Sequence, residues 1–168
     1  MNAPKEFSDL TSFAAHLGAL EFGAHKAIRR GLEQALVLIE NEAKEQIGHY
    51  QAEAGSFPAW APLAESTEAE KARLGYPADA PLLRTGAMQA SFGHTVESAT
   101  EGVVGSTDPT LIFHEFGTRK MPPRPVLGPA VFHTREQIEK LLGRAIVEGV
   151  LGGQVVEHGG YFGDDIGS

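Results

Sequence analysis

Cysteine is absent from this 168-residue chain. No disulfide framework or thiolate metal site is therefore available, which fits a reducing compartment or a particle assembled in one. Long apolar runs are missing too: nothing approaches the roughly eighteen consecutive apolar residues of a membrane span. The opening MNAPKEFSDL has no basic region followed by an apolar core, so no secretory signal is expected. Basic charge is scarce as well. With 14 Lys and Arg against 22 Asp and Glu, the chain carries a formal charge of −8, which argues against holding nucleic acid through a basic surface. A G-x-S-x-G nucleophile elbow, a P-loop and a dinucleotide fingerprint are all lacking.

What is present is the composition of one soluble globular domain, 42% hydrophobic and 21% charged. From about Phe22 to Tyr50, apolar residues recur at steps of three and four: Ile28, Leu32, Ala35, Ile39, Ala43, Ile47 and Tyr50. This predicts an amphipathic helix of roughly 40 Å, long enough to be the spine of a core or a strut against neighbouring subunits. Residues 51–83 form an extended, proline-rich loop. Phe57 and Trp60, the only tryptophan, are expected to pin it to the domain's own core or to an adjacent subunit. Within it, Thr67 and Glu70 suggest a capping box for a short helix that Gly75 ends.

Thr85-Gly86 reads as a turn into a short helical segment. Phe92–Val96 and Gly102–Gly105 read as two strands around a Ser-Ala-Thr-Glu turn, and Thr110–Phe116 as a third. A second amphipathic helix is expected from near Pro129 to Val147, with Val131, Ile138, Leu141, Leu142 and Ala145 as its stripe. The expected fold is α+β: a long N-terminal helix, a small, mostly antiparallel sheet of about 3–4 strands, and a second helix packed on it, with extended loops. One domain would span 1–148. Residues 149–168, rich in glycine, would be a flexible tail or a docking arm.

The stretch HEFGTRKMPPRP, His114 to Pro125, concentrates the functional question. His114-Glu115 invites a metallohydrolase, but the zinc motif needs a second histidine four residues on, and position 118 is Thr. A site from His94, His114 and His133, or from His114, Glu115 and His133, has no spacing in its favour. Gly117 suits a sharp corner after a strand, and Pro122, Pro123 and Pro125 stiffen the exit from that corner. Such a scaffold would present Arg119, Lys120 and Arg124 to another protein at low entropic cost. The segment around it, residues 101–146, is the part of the chain that is not acidic, with six Lys and Arg against five Asp and Glu.

Several of these pieces occur together in one order: Trp60-Ala61-Pro62-Leu63, Ser66-Thr67, Lys71 and Gly75, then LLRTGAMQAS from Leu82 to Ser91, then Val103-Val104-Gly105-Ser106, HEFGT from His114 to Thr118, and PPRPVLGPA from Pro122 to Ala130. Together they resemble the tailed-bacteriophage neck and tail-completion proteins, the virion-morphogenesis or tail-component family, over roughly Phe57 to Val131. Thr110-Leu111-Ile112 and Val126 depart from the family pattern.

The resemblance implies a structural protein and no enzyme, without cofactor or metal, assembled in the bacterial cytoplasm into the virion. It implies a cyclic homo-oligomer, six-fold or twelve-fold, between head-closure or connector proteins and the tail terminator or tail tube. DNA would pass through its channel unbound, and no membrane would be involved. Assembly contacts are then expected at Phe57, Trp60, Phe116, Gly117, Thr118, Arg119, Lys120, Pro122, Pro123, Arg124 and Pro125. A tail terminator capping the tube is the alternative within that trade. A small metal-dependent hydrolase and a monomeric adaptor are the alternatives outside it.

Overall fold

The computed structural model describes residues 8–150, so the segment from 151 onward, most of the expected glycine-rich arm, lies outside the described residues. Helix α1 (Leu10–Gln46) is longer than the periodicity alone predicts, 37 residues or about 55 Å. Its start is set by a capping box. The Asp9 carboxylate accepts from the Ser12 amide at 2.7 Å, and Ser12 Oγ accepts from the Asp9 amide at 3.3 Å. Gly18 and Gly23 each cost about 1 kcal/mol of helix propensity, and the cap and the Ala/Leu-rich sequence between them carry the helix through.

Helix α2 (Glu65–Arg73) begins two residues before the expected cap. Ala64 is its N-cap and bonds through no side chain, while Glu65 and Glu68 favour the first turn through the helix dipole. Gly75 does end it, at φ 77°, with Tyr76 N–H donating back to the Lys71 carbonyl at 2.9 Å. After the short helix α3 (Ala87–Ser91), strands β1 (Phe92–Val96) and β2 (Gly102–Ser106) form an antiparallel hairpin in the register Phe92↔Ser106 to Val96↔Gly102. Its turn is closed by Glu97 and Ser98 amides donating to the Glu101 carbonyl.

The expected third strand is a helix. Residues Leu111–Phe116 form α4, and the sheet has two strands, not three or four. Asp108-Pro109 explains the difference. The Asp108 carboxylate accepts from the Thr110 amide at 2.9 Å and hydroxyl at 2.6 Å, which starts a turn that the next residues continue. Those two bonds also hold the Asp108 carboxyl below its usual value. The helix sends Leu111 into the core and turns Ile112, Phe113 and Phe116 out.

Helix α5 (Leu127–Val150) returns antiparallel along α1, with His133 beside Glu42, Ala145 against Gly31 and Gly149 against Ala24. Its buried side runs through Ala130, Thr134 and Ala145, whereas Val131, expected in the stripe, is exposed. The core lies where α1, α4, α5, β1 and the long loop meet: Ala43, Ile47, Trp60, Phe92, Leu111, Val126 and Ala130. The fold is thus α+β, two long antiparallel helices with one hairpin packed against α1. No helix among the described residues is long and apolar enough to cross a membrane.

Candidate functional site

The His114–Pro125 corner is built from α4, a tight turn and the start of α5. Gly117 ends α4 at φ 71°, the left-handed region that glycine adopts freely. A Cβ there would lie 2.8 Å from the Pro123 nitrogen and 2.9 Å from the Met121 carbonyl. The chain then folds back on itself. Thr118 and Met121 pair across a turn, their amides donating at 2.8 and 3.3 Å, and Arg119 and Lys120 form its exposed tip. Arg124 N–H closes the corner by donating to the His114 carbonyl at 2.6 Å.

Most of the chemistry of this motif points inward. Arg124, expected to be presented to a partner, is 4% exposed. Its Nε and Nη2 donate to the Ala61 carbonyl at 3.2 and 2.9 Å, and Nη2 also donates to the Pro62 carbonyl at 3.1 Å. Trp60 sits in the domain's own core and its Nε1–H donates to the Pro125 carbonyl at 3.0 Å. The Phe57 ring occupies the space into which a Cβ at Gly128 would project, so it too lies on its own α5. Glu115 is no strand residue but the cap of α5: its Oε1 accepts from the Val126 and Leu127 amides, both at 2.9 Å. A carboxylate there satisfies two orphan donors at the positive end of the helix dipole.

His114 is half-buried, and its Nδ1 has no hydrogen-bond partner. Burial first, and then the Arg124 charge, push its imidazole below the ordinary value, with Asp108 opposing. The residues of the candidate metal sets are engaged separately: His94 pairs with Glu40, His133 Nδ1 lies 2.7 Å from Glu42, and Glu115 caps α5. Among the described residues, no group of three His, Asp or Glu side chains is placed to hold a metal ion.

Beside the corner lies a cleft of about 670 Å³, reaching from α2 to the Lys120 turn and bordered by Lys71, Arg84, Asp108, His114, Lys120 and Arg124. Its buried cations are already used. Lys71, 3% exposed, donates Nζ to the Ala80 carbonyl and tethers α2 to the loop, and burial lowers its pKa. Arg84, which is exposed, pairs with Glu70 at 3.2 Å. The buried positive charge of the cleft, Lys71 and Arg124, therefore organises backbone, whereas Lys120 at its rim is exposed.

Of the expected contact residues, Phe116, Thr118, Arg119, Lys120, Pro122 and Pro123 are exposed, whereas Trp60, Arg124 and Pro125 are buried and Phe57 is half-buried. Two further apolar residues, Ile112 and Phe113, join Phe116 at the surface. The short apolar run Leu111-Ile112-Phe113 reads as a strand, which hides that a helix gathers Ile112, Phe113 and Phe116 on one side. No family model matches this chain, and neither a curated protein nor a solved structure does.

Proposed function

We propose that this chain is a structural subunit of the tailed-phage neck, assembling into a ring that joins the tail to the filled head and leaves a channel for DNA. One observation carries the proposal. The polar groups of the most motif-like stretch, Glu115 and Arg124 above all, are spent on holding the long loop and α5 in place. Helix α4, which leads into that stretch, leaves Ile112, Phe113 and Phe116 bare at the surface. That division suits a building block whose loops are fixed for docking, and the ordered set of motifs from Trp60 to Ala130 supports the phage assignment.

The test is genetic and structural. A phage lacking the chain should accumulate filled heads and separate tails, and averaged images of wild-type particles should place the chain at the junction. Normal joined particles in its absence would refute the proposal. A ring found instead at the head-proximal end of detached tails would shift the assignment to a terminator.

A further inference from the structure

The long loop and the His114–Pro125 corner are tied to each other twice. Arg124 reaches the Ala61 and Pro62 carbonyls with its guanidinium, and the indole of Trp60, one residue earlier, donates back to the Pro125 carbonyl. Helix α4 is joined to the same point, because the Arg124 amide donates to the His114 carbonyl. No carboxylate takes part: among the described residues Arg124 forms no ion pair. The clasp is thus a buried cation held by neutral carbonyls.

The His114 side chain stands beside this clasp and takes no part in it. Its Nδ1 is buried and bonds to no group of the described residues. In the neutral ring Nδ1 can stay a bare acceptor, but in the imidazolium both ring nitrogens are donors, and a charged N–H without an acceptor costs far more. Lys71, Arg84, Lys120 and Arg124 border the cleft that His114 lines, with Asp108 as the carboxylate among them. Burial opposes a proton on the ring most strongly, Arg124 opposes it next, and Asp108 favours it. Asp108 is itself held by the Thr110 amide and hydroxyl, and Glu115, next to His114 in sequence, is turned to the α5 amides. Neither carboxylate forms an ion pair with His114.

We infer that His114 is the trigger of a proton-opened clasp: a proton on its ring frees the Ala61 and Pro62 carbonyls from Arg124 and parts the long loop from the corner, while the helices stay closed. The imidazolium sets a second cation beside a buried one, where water screens them poorly. His114 is held in place by the backbone of α4, so Arg124 is the partner that yields, by swinging its guanidinium into the cleft that it already borders. The Trp60 bond to Pro125 is lost with it, because Trp60 directly precedes the released Ala61. Below the clasp, Leu111, Val126 and Ala130 pack on Ala43 and Ile47 without any titratable group, so the core has no part in the opening.

A single proton sets the size and the pH range of the effect. The closed corner holds the ring below its ordinary value of 6.5, and the open corner returns it to water, so acid favours the open form. Above 6.5 the ratio of open to closed is constant. Below it the ratio climbs by up to about tenfold per pH unit, then levels off once the closed form also takes up the proton. Removing the Asp108 charge makes the closed ring still harder to protonate, so the climb continues to lower pH and ends higher. The clasp works within one subunit and does not rest on the neck proposal.

Hydrogen exchange of the full chain, followed by NMR from pH 8 to pH 5 and corrected for the intrinsic exchange rate, decides it. Two bonded hydrogens report the clasp: the indole N–H of Trp60, the only tryptophan and 5% exposed, and the Arg124 amide. The amide of Ala43, fully buried on α1, reports the core. Between pH 7 and pH 5 the protection of both clasp hydrogens should fall by about threefold or more, while that of Ala43 stays level. In His114→Gln, which carries no titrating ring, all three should stay level. A wild type in which Ala43 loses protection in step with Trp60 and Arg124 opens globally, and the inference is lost. Equal loss at Trp60 in the wild type and in His114→Gln also overturns it, as does constant protection throughout. Should His114→Gln fail to fold, Asp108→Asn, which keeps an acceptor for Thr110, is the second handle. Its clasp hydrogens should go on losing protection at pH values where those of the wild type have levelled off, and an identical or smaller loss would refute the trigger.

Discussion

Replacing Arg124 tests whether the corner is a clasp. The guanidinium makes three hydrogen bonds to two carbonyls of the long loop, and its backbone amide binds His114. A bond to a charged group contributes about 1.5–3 kcal/mol, and the three share one side chain, so they do not add. Burial opposes them, as the downward push on the Arg124 pKa indicates. Arg124→Met removes both the bonds and the burial cost and keeps the aliphatic stem, so a net loss of about 2 kcal/mol is expected. Arg124→Lys keeps a buried charge but loses the planar fork, and should destabilise the fold at least as much. For a chain of this size about 2 kcal/mol lowers the melting temperature by roughly 6 °C, measurable by circular dichroism and urea titration. If Arg124→Lys unfolds within about 0.5 kcal/mol of wild type, a magnitude ordinary for surface substitutions, the clasp argument fails.

Four other outcomes are expected. Gly75→Ala should cost about 1 kcal/mol, because only left-handed strain opposes it, while Gly117→Ala should cost distinctly more, since its Cβ would meet Pro123 and Met121; equal losses in urea would refute the packing account. Gln46 is 2% exposed with both side-chain polar atoms unpaired, so Gln46→Met should stabilise the fold by about 1–2 kcal/mol, and a lower denaturation midpoint would contradict this. Glu115→Ala removes the acceptor of two amides at the start of α5 and should cost about 1–2 kcal/mol, with Glu115→Gln in between; equal stability of all three chains counts against the cap. His114 binds a proton less readily folded than unfolded, so its contribution to stability is complete above the ordinary value of 6.5 and is lost as pH falls through that value and below. His114→Gln should therefore flatten the stability profile on the acid side of 6.5, and an unchanged profile would exclude the effect.

Local signals mark what local physics decides. The helical four-residue spacing of Ile39, Ala43 and Ile47, the Ser98–Glu101 turn, and glycines at positive φ after α2 and α4 are written in a few neighbouring residues and appear where the sequence places them. The start of α1 is harder to read because Gly18 and Gly23 dilute the apolar pattern, although Asp9 and Ser12 carry a cap that the sequence displays. Residues 111–116 cannot be read locally. A short apolar run is a strand only if a sheet edge receives it, and here the Asp108 turn starts a helix first. Arg124 misleads for a similar reason. A cation among prolines looks presented until the carbonyls of Ala61 and Pro62, more than sixty residues earlier, are found around it.

Under the neck proposal, folding and assembly fall to different residues and should separate in experiment. Arg124, Trp60 and Glu115 act within the subunit, so changing them should lower stability and leave the affinity of folded copies for one another unaltered. Ile112, Phe113 and Phe116 are exposed on the subunit, so changing them should leave stability nearly untouched and, under the neck proposal, impair assembly. Phe116 and Gly117 are adjacent in sequence and fall on opposite sides of this divide, since one side chain is in solvent and the other position admits none. Measuring melting temperature and sedimentation on Phe116→Asp and Gly117→Ala together is therefore the sharpest comparison available. Phe116→Asp should melt like wild type and fail to associate, while Gly117→Ala should melt early and, below its transition, associate normally. Loss of both properties in both variants would mean that the corner folds only upon docking, and the separation of clasp from contact would have to be abandoned.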